Sequence, residues 1–339
     1  MRFAYSVVLA CGLSLPTSAQ DSGQQAIPRS GGDFSNNTLP LVKVPEGVIL
    51  VKGAWPSASD SVTPVPEGAN VANGVFNAPY FGMTYELPVG WSQKYEGPPP
   101  SDTGRYVLAQ LSPETMSNGT ARGAILITAQ DMFFTPVPAR NATELLHYTS
   151  EHLQADYQLE MPVTQTNMAE RPFIAFAYWA PVAELHWYVL ATELRCHTVQ
   201  IVVTSRDTKL LEELIHSLGQ TKLPVDASPT VGAGRGAVPV CIANYARDEN
   251  MTLRINPVFT EHRFNPIPVR IVIDKEGNVK HIHFLSAFAD QSKAVTDALV
   301  QWKFKPYRRE GEPVEVETGV LFGRVQNPLT QPAAGASIE

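Results

Sequence analysis

A chain of 339 residues with 44% hydrophobic side chains exceeds what one core normally holds and carries enough apolar material for two. Its 26 Lys+Arg against 33 Asp+Glu leave a formal charge of -7. No global positive field is available to draw in nucleic acid or anionic lipid, so a nucleic-acid partner is not expected.

The first 19 residues read as a secretory signal. Arg2 supplies the positive start, Phe3 to Leu15 is mostly apolar, and Thr17-Ser18-Ala19 offers small residues for a cut between Ala19 and Gln20. As a helix the apolar stretch would rise only ~20 Å against a hydrocarbon core of ~30 Å, so an uncleaved span is the weaker alternative. A lipid anchor on Cys11 is weaker still, because Cys11 sits inside the apolar stretch and not at its end. No later stretch is apolar enough to cross a bilayer. The expectation is a periplasmic or secreted protein with no stable membrane span after cleavage.

Residues 20–72 are rich in Gly, Pro, Ser and Asn and read as a flexible leader, with only Val48 to Val51 apolar. Residues 224–239 form a similar linker and residues 326–339 a tail.

Between leader and linker, residues 73–223 alternate as antiparallel strands do. The runs are Tyr80 to Leu87, Tyr106 to Leu111, Ala124 to Ala129, Phe173 to Trp179, Trp187 to Leu194 and Thr198 to Thr204. Helices interrupt them twice. Asn141 can cap a helix that carries Leu146, Leu153 and Tyr157 on one side, and Asp207 to Leu218 repeats Leu210, Leu211, Leu214, Ile215 and Leu218 at helical spacing. The Tyr80-to-Trp91 segment with its Pro88-Val89-Gly90-Trp91 exit, and the closing helix at Ile215-His216-Ser217-Leu218, resemble the PsbP-like and DcrB-like α/β sandwich group. That resemblance implies an antiparallel sheet with two helices and no particular chemistry.

Residues 240–325 form the second folded candidate. Val269 to Asp274 runs into the turn Lys275-Glu276-Gly277-Asn278 and out through Val279 to Leu285, with Gly277 suited to a left-handed turn position. Val269, Ile271 and Ile273 share one face, as do Ile282 and Phe284 on the returning strand. Ala294, Val295, Ala298, Leu299 and Trp302 then repeat as a helix from Asp290 or Ser292. Pro313 to Gly323 closes as a strand with Val314, Val316, Thr318, Val320 and Phe322 on one face and Glu315 and Glu317 on the other. The expected fold class is α+β: a central antiparallel sheet with two helices, plus a small hairpin, helix and strand domain.

Three motifs in this region resemble the TonB C-terminal domain family: Ile273-Asp274-x-x-Gly277-x-Val279, Ala298-x-x-x-Trp302-x-Phe304-x-Pro306 and Gly311-x-Pro313-Val314. The resemblance implies a small domain that binds a protein partner by strand addition. In that family the partner segment belongs to an outer-membrane transporter. Carried onto this chain, the edge falls on Val314, Val316, Thr318, Val320 and Phe322. The family's transmembrane helix, its long charged spacer and its Gly-x-Val entry are absent; Arg263-Phe264-Asn265-Pro266-Ile267-Pro268 stands at the entry instead. Binding to an outer-membrane transporter or envelope complex is therefore the expectation. A membrane-tethered transducer component is one alternative. A small-ligand or lipid binder using Tyr178, Trp179, Trp187 and Tyr188 is another.

The remaining signals are local. Without Cys11, Cys196 and Cys241 form an even pair that reads either as a possible disulfide or as two buried thiols. His281 and His283 share a strand face and with His262 sketch a metal site, but solvated strand histidines are the plainer reading, and no metal or cofactor is expected. Lys303, Lys305, Arg308 and Arg309 lie among Glu310, Glu312, Glu315 and Glu317 as a mixed surface. Gly232 to Gly236 lacks the strand and helix of a phosphate loop. No Gly-x-Ser-x-Gly elbow, His-Glu-x-x-His helix or Cys/His nucleophile setting occurs, so an enzyme is not expected.

Overall fold

The computed structural model describes residues 48–50, 58–60, 65–95, 100–114, 123–224, 238–260 and 265–323. All of these belong to one compact unit, Val44–Glu339. The expected signal with Cys11, most of the leader, most of the linker, His262 and the tail lie outside the described residues.

The chain opens the described region earlier than its composition indicates. A short sheet of Asn70–Ala72 (β1), Val75–Ala78 (β2) and Met83–Glu86 (β3) takes in residues expected to belong to the leader. The reason is a turn at Asn73-Gly74, both at positive φ, which folds a brief apolar run back on itself.

The main sheet follows. Trp91–Tyr95 (β4), Arg105–Pro113 (β5), Gly123–Asp131 (β6), Gln158–Met168 (β7), Arg171–Ala180 (β8), Leu185–Leu194 (β9) and His197–Ser205 (β10) form seven antiparallel strands in the order β4-β5-β6-β10-β9-β8-β7. Helix α1, Ala142–Glu151, packs on β7, β8 and β9, and Asn141 caps it by accepting from the Glu144 N–H at 2.8 Å. It ends at Glu151, so Leu153 and Tyr157 lie beyond it. Helix α2, Thr208–Leu218, is capped by Asp207 and buries Leu214 and Leu218 in the core formed by β1–β3 and one face of the sheet. Full burial of such a leucine contributes about 1.5–3 kcal/mol. Tyr178 and Trp187 are buried and stacked at 5.6 Å, continuous with Tyr157 and Phe176, while Tyr188 packs on the opposite core. These aromatics fill the structure around the sheet.

A second sheet is built from Val240–Cys241 (β11), Ile267–Ile273 (β12), Val279–Phe284 (β13) and Val316–Phe322 (β14). Its order runs Val48–Leu50, Ala58–Asp60, β13, β12, β14, β11. Helix α3, Ala289–Leu299, covers one face, where Val295, Leu299 and Trp302 meet Val269, Ile271, Phe284, Val320 and Phe322. Gly277 turns the hairpin at φ +88, and a Cβ there would stand 2.1 Å from the Phe304 carbonyl oxygen. Hairpin, helix and strand thus follow the expected order. The fold is α+β, mostly antiparallel.

The other face of this sheet departs from expectation. Alternation predicts Glu317 toward solvent, and His281 and His283 read as solvated; all three are buried, together with Arg270. That face packs against the main sheet's end instead of water.

Candidate functional site

The strand expected to present a free edge is β14. It pairs antiparallel with β12 through Val316, Thr318, Val320 and Phe322, opposite Ile273, Ile271, Val269 and Ile267. The Leu285 N–H donates to the Pro268 carbonyl, so the even positions of β12 turn their backbone groups toward β13 and the odd ones toward β14. The outward backbone groups of β14 therefore belong to Glu317, Gly319 and Leu321.

That outer row is not fully open, which corrects the expectation. β11 lies parallel to it, with Val240 opposite Val316 and Cys241 opposite Glu317. Val240 N–H donates to the Glu315 carbonyl at 2.8 Å, and Ile242 N–H donates to the Glu317 carbonyl at 3.0 Å. Tyr245 N–H donates to Thr318 Oγ1, which itself donates to the Ala243 carbonyl. Val314 precedes the strand and its N–H donates to the Tyr307 carbonyl. The physical reason is proximity: the chain leaving the linker reaches the edge first and satisfies its backbone groups. Beyond Thr318, the outward groups of Gly319 and Leu321 have no hydrogen-bond partner among the described residues. At the opposite border, Ala58 bridges Ile282 of β13.

The capping segment is bound covalently as well. Cys196 and Cys241 are joined by a disulfide, with 45 residues of sequence separation. Cys196 sits in the β9–β10 turn beside Arg195, and both hold positive φ, 64° and 47°. Two non-glycine residues in left-handed positions cost stability, and a two-residue hairpin with the sheet's twist requires it. Arg195 helps to hold the turn by donating to the Tyr80 carbonyl at 2.8 Å and lying over the Tyr80 ring. Glu317 Oε2 is 3.9 Å from Cys196 Sγ.

Behind β14 lies a buried ionic cluster that alternation did not foretell. Arg270 on β12 donates from Nη1 to Asp131 Oδ2 at 2.5 Å, and its Nη2 is 2.8 Å from Glu317 Oε1. Tyr80 Oη accepts from Arg270 Nη2 at 3.1 Å and donates to Glu317 Oε1 at 2.9 Å. Arg270, Asp131 and Glu317 are 1%, 0% and 3% exposed, so water cannot replace any missing partner. Burial disfavours the Arg270 charge, yet Asp131 and Glu317 overcome this and hold its pKa well above the ordinary arginine value. Burial also pushes Glu317 up, but Arg270, Arg195 and the Arg270 and Tyr80 hydrogen bonds bring it below the usual carboxylate value. For Asp131 burial dominates, and its pKa is raised despite Arg270. Burial drives the Tyr80 hydroxyl far above its usual range.

His197 closes the cluster. Its Nδ1 contacts the Arg195 carbonyl at 2.7 Å, its Nε2 is 3.8 Å from Asp131 Oδ2, and Tyr80, Phe81 and Tyr106 meet its ring edge-on. Burial first and Arg270 second depress its pKa well below the usual histidine value. A neutral ring donating from Nδ1 fits these contacts.

His281 and His283, weighed as metal ligands and read as solvated strand histidines, are both buried. His283 Nε2 pairs with Glu67 Oε1 at 2.8 Å and stacks on Tyr106, and its ring is 6.4 Å from that of His281. Among the described residues, the potential ligand atoms that do converge are those of Cys196, Cys241 and Glu317, within 4.8 Å. They do not suit a cation: the sulfurs are bonded to each other and are not thiolates, and Glu317 already answers Arg270 and Tyr80. Lys303, Lys305 and Arg308 each donate to nearby oxygens, on Asn278, Glu249 and Gly311. The arrangement is thus a buried ionic cluster between two sheets, beside a strand edge that β11 partly pairs.

No family model matches the chain, and no curated protein matches it either. Neither comparison supports the TonB resemblance, which stands on its motif residues and the order of elements. Among solved structures, the solution structure of cyanobacterial PsbP (CyanoP) from Synechocystis sp. PCC 6803 is similar at 12% identity and a TM-score of 0.32, over 46% of this chain and 96% of that chain. Likeness at this level says nothing of function.

Proposed function

We propose that this chain is a non-enzymatic exported protein of the cell envelope that holds a protein partner by strand addition along the outer edge of β14. The observation that carries this reading is the row of backbone groups at Glu317, Gly319 and Leu321. The chain itself adds a parallel strand at Glu317, and Gly319 and Leu321 continue the row without a partner among the described residues. Outward amides and carbonyls without a partner among the described residues favour an extended segment that completes the ladder. The motif resemblance to the TonB C-terminal domain points to an envelope protein, such as an outer-membrane transporter, as the source of that segment.

Export is supported by two features. The first residues have the form of a cleavable signal, and a Cys196–Cys241 disulfide persists best in an oxidising compartment. Among the described residues, no helix is long and apolar enough to cross a membrane. Mass spectrometry of the native N-terminus distinguishes a free exported chain, beginning at Gln20, from a tethered one.

The binding test uses a photoreactive residue at Leu321, with Val182 on an exposed turn as the control. A captured envelope protein is expected from position 321 only, and its affinity is expected to fall with Leu321→Pro, which deletes an outward N–H. Identical products from both positions, or a partner indifferent to the proline, would refute the reading.

A further inference from the structure

The segment that covers the β14 edge is attached very unevenly at its two ends. At the far end, Tyr245 is buried, stacks near Phe304 and donates its hydroxyl to the Lys305 carbonyl at 2.5 Å. At the near end, Val238, Cys241 and Ala243 are exposed and Val240 and Ile242 only half-buried. Between them the strand is two residues long, and its ladder rests on the Val240 and Ile242 N–H groups. Beyond these, Ile242 rests partly buried against the module's core and the Ala243 carbonyl accepts from Thr318 Oγ1. So few contacts are the marks of a segment that opens locally. Its one covalent hold is the disulfide to Cys196.

Cys196 itself is anchored. Its carbonyl accepts from the Met132 N–H at 3.0 Å, and the neighbouring Arg195 is tied to Tyr80 by hydrogen bond and ring contact. Opening the disulfide therefore leaves Cys196 in place and frees the Cys241 side.

We propose that residues 238–244 are a covalently locked cap on the β14 edge, and that a dithiol reductant releases it about a hinge at Tyr245. This rests on the strand-addition reading of the same edge. A reductant thiolate attacks the exposed Cys241 sulfur, forming a mixed disulfide as Cys196 leaves with the electron pair of the broken S–S bond. The second reductant thiol then displaces Cys241 and closes the reductant's own disulfide. Two electrons pass to the protein, and the two protons given up by the dithiol end on Cys196 and Cys241. The released Cys196 thiol has an acceptor waiting in Glu317 Oε2, 3.9 Å from its sulfur. The freed edge then offers the Glu317 backbone together with Gly319 and Leu321, a longer row for an incoming strand.

Hydrogen exchange read by mass spectrometry on the full chain tests this, with and without dithiothreitol and with Cys241→Ser in the absence of reductant. Reduction and the serine variant are each expected to speed exchange at Val240 and Ile242 at least about tenfold, while Tyr245, Ile271 and Val202 keep their protection. Unchanged exchange at Val240 and Ile242 in a chain shown by mass to carry two thiols overturns the proposal. Loss of protection throughout β12–β14 also overturns it, because the disulfide would then be a general staple. Capture from position 321 separates the two readings. Equal capture of a partner in both redox states removes the lock and leaves strand addition standing. A cap that opens with no partner captured in either state supports the lock and removes strand addition.

Discussion

Arg270 of the C-terminal hairpin is ion-paired with Asp131 at the end of a main-sheet strand, 139 residues earlier in the chain. The same guanidinium holds Glu317, whose backbone carbonyl in turn accepts from the capping segment. One charge thereby fixes the position of the β14 edge relative to the main sheet. The module that carries the edge is seated on the sandwich by a buried ionic contact and a disulfide, and α3 closes its other side.

Removing Arg270 strands two carboxylates in a dry site. Arg270→Met is expected to cost about 3–5 kcal/mol in urea unfolding, and Arg270→Lys much of the same, since a point charge cannot serve Asp131, Glu317 and Tyr80 together. Replacing Arg270, Asp131 and Glu317 together by apolar residues of similar size should recover most of that loss. A single Arg270→Met variant as stable as the parent would contradict the buried-lock account.

The pH dependence of stability follows from His197, faced by Asp131, Arg270, Arg195, His283, Tyr80 and Tyr106. The folded state keeps it neutral well below 6.5, while the unfolded chain protonates it near that value. Its contribution is therefore complete above pH 6.5 and is lost as the pH falls below it, with a slope approaching about 1.4 kcal/mol per unit. Asp131 is raised and acts in the opposite sense, stability falling as the pH rises above 3.8. The informative quantity is the difference between parent and His197→Gln over pH 5 to 6.5, which should decline toward acid. Parallel curves would rule out this role for His197.

Two glycines share one backbone angle and differ in surroundings. Gly277 and Gly311 both have φ +88, but only Gly277 has a backbone carbonyl, that of Phe304, where a Cβ would go. Gly311→Ala should cost about 1 kcal/mol for the left-handed conformation alone, and Gly277→Ala roughly 3 kcal/mol or more. Equal losses in thermal unfolding would mean that the hairpin turn yields freely.

Proline placement reads the direction of the β14 backbone. Leu321 N–H points outward and Val316 N–H toward β12, as the pairing register sets. Leu321→Pro should change stability by less than about 1 kcal/mol, whereas Val316→Pro deletes a ladder bond and should cost about 3 kcal/mol or more. The reverse order would show that the register is shifted by one residue.

The amino-acid sequence by itself determined most of the elements. Period-two runs such as Val269, Ile271 and Ile273, the helical repeat from Leu210 to Leu218, the cap Asn141 and the turn glycine Gly277 all act on their immediate neighbours, so they are legible along the chain. Gln158–Met168 escaped because it is a border strand of the main sheet and mostly exposed, with no buried alternating face to read. Hydropathy could not place Arg270, Glu317, His281 and His283, since a polar residue reads as solvent-facing until its partner is known. Those partners come from segments far apart in the chain, such as Asp131 for Arg270 and Glu67 for His283. The same holds for the edge of β14: whether a strand's outer amides stay open depends on which distant piece of chain reaches them first, and only the tertiary structure decides that.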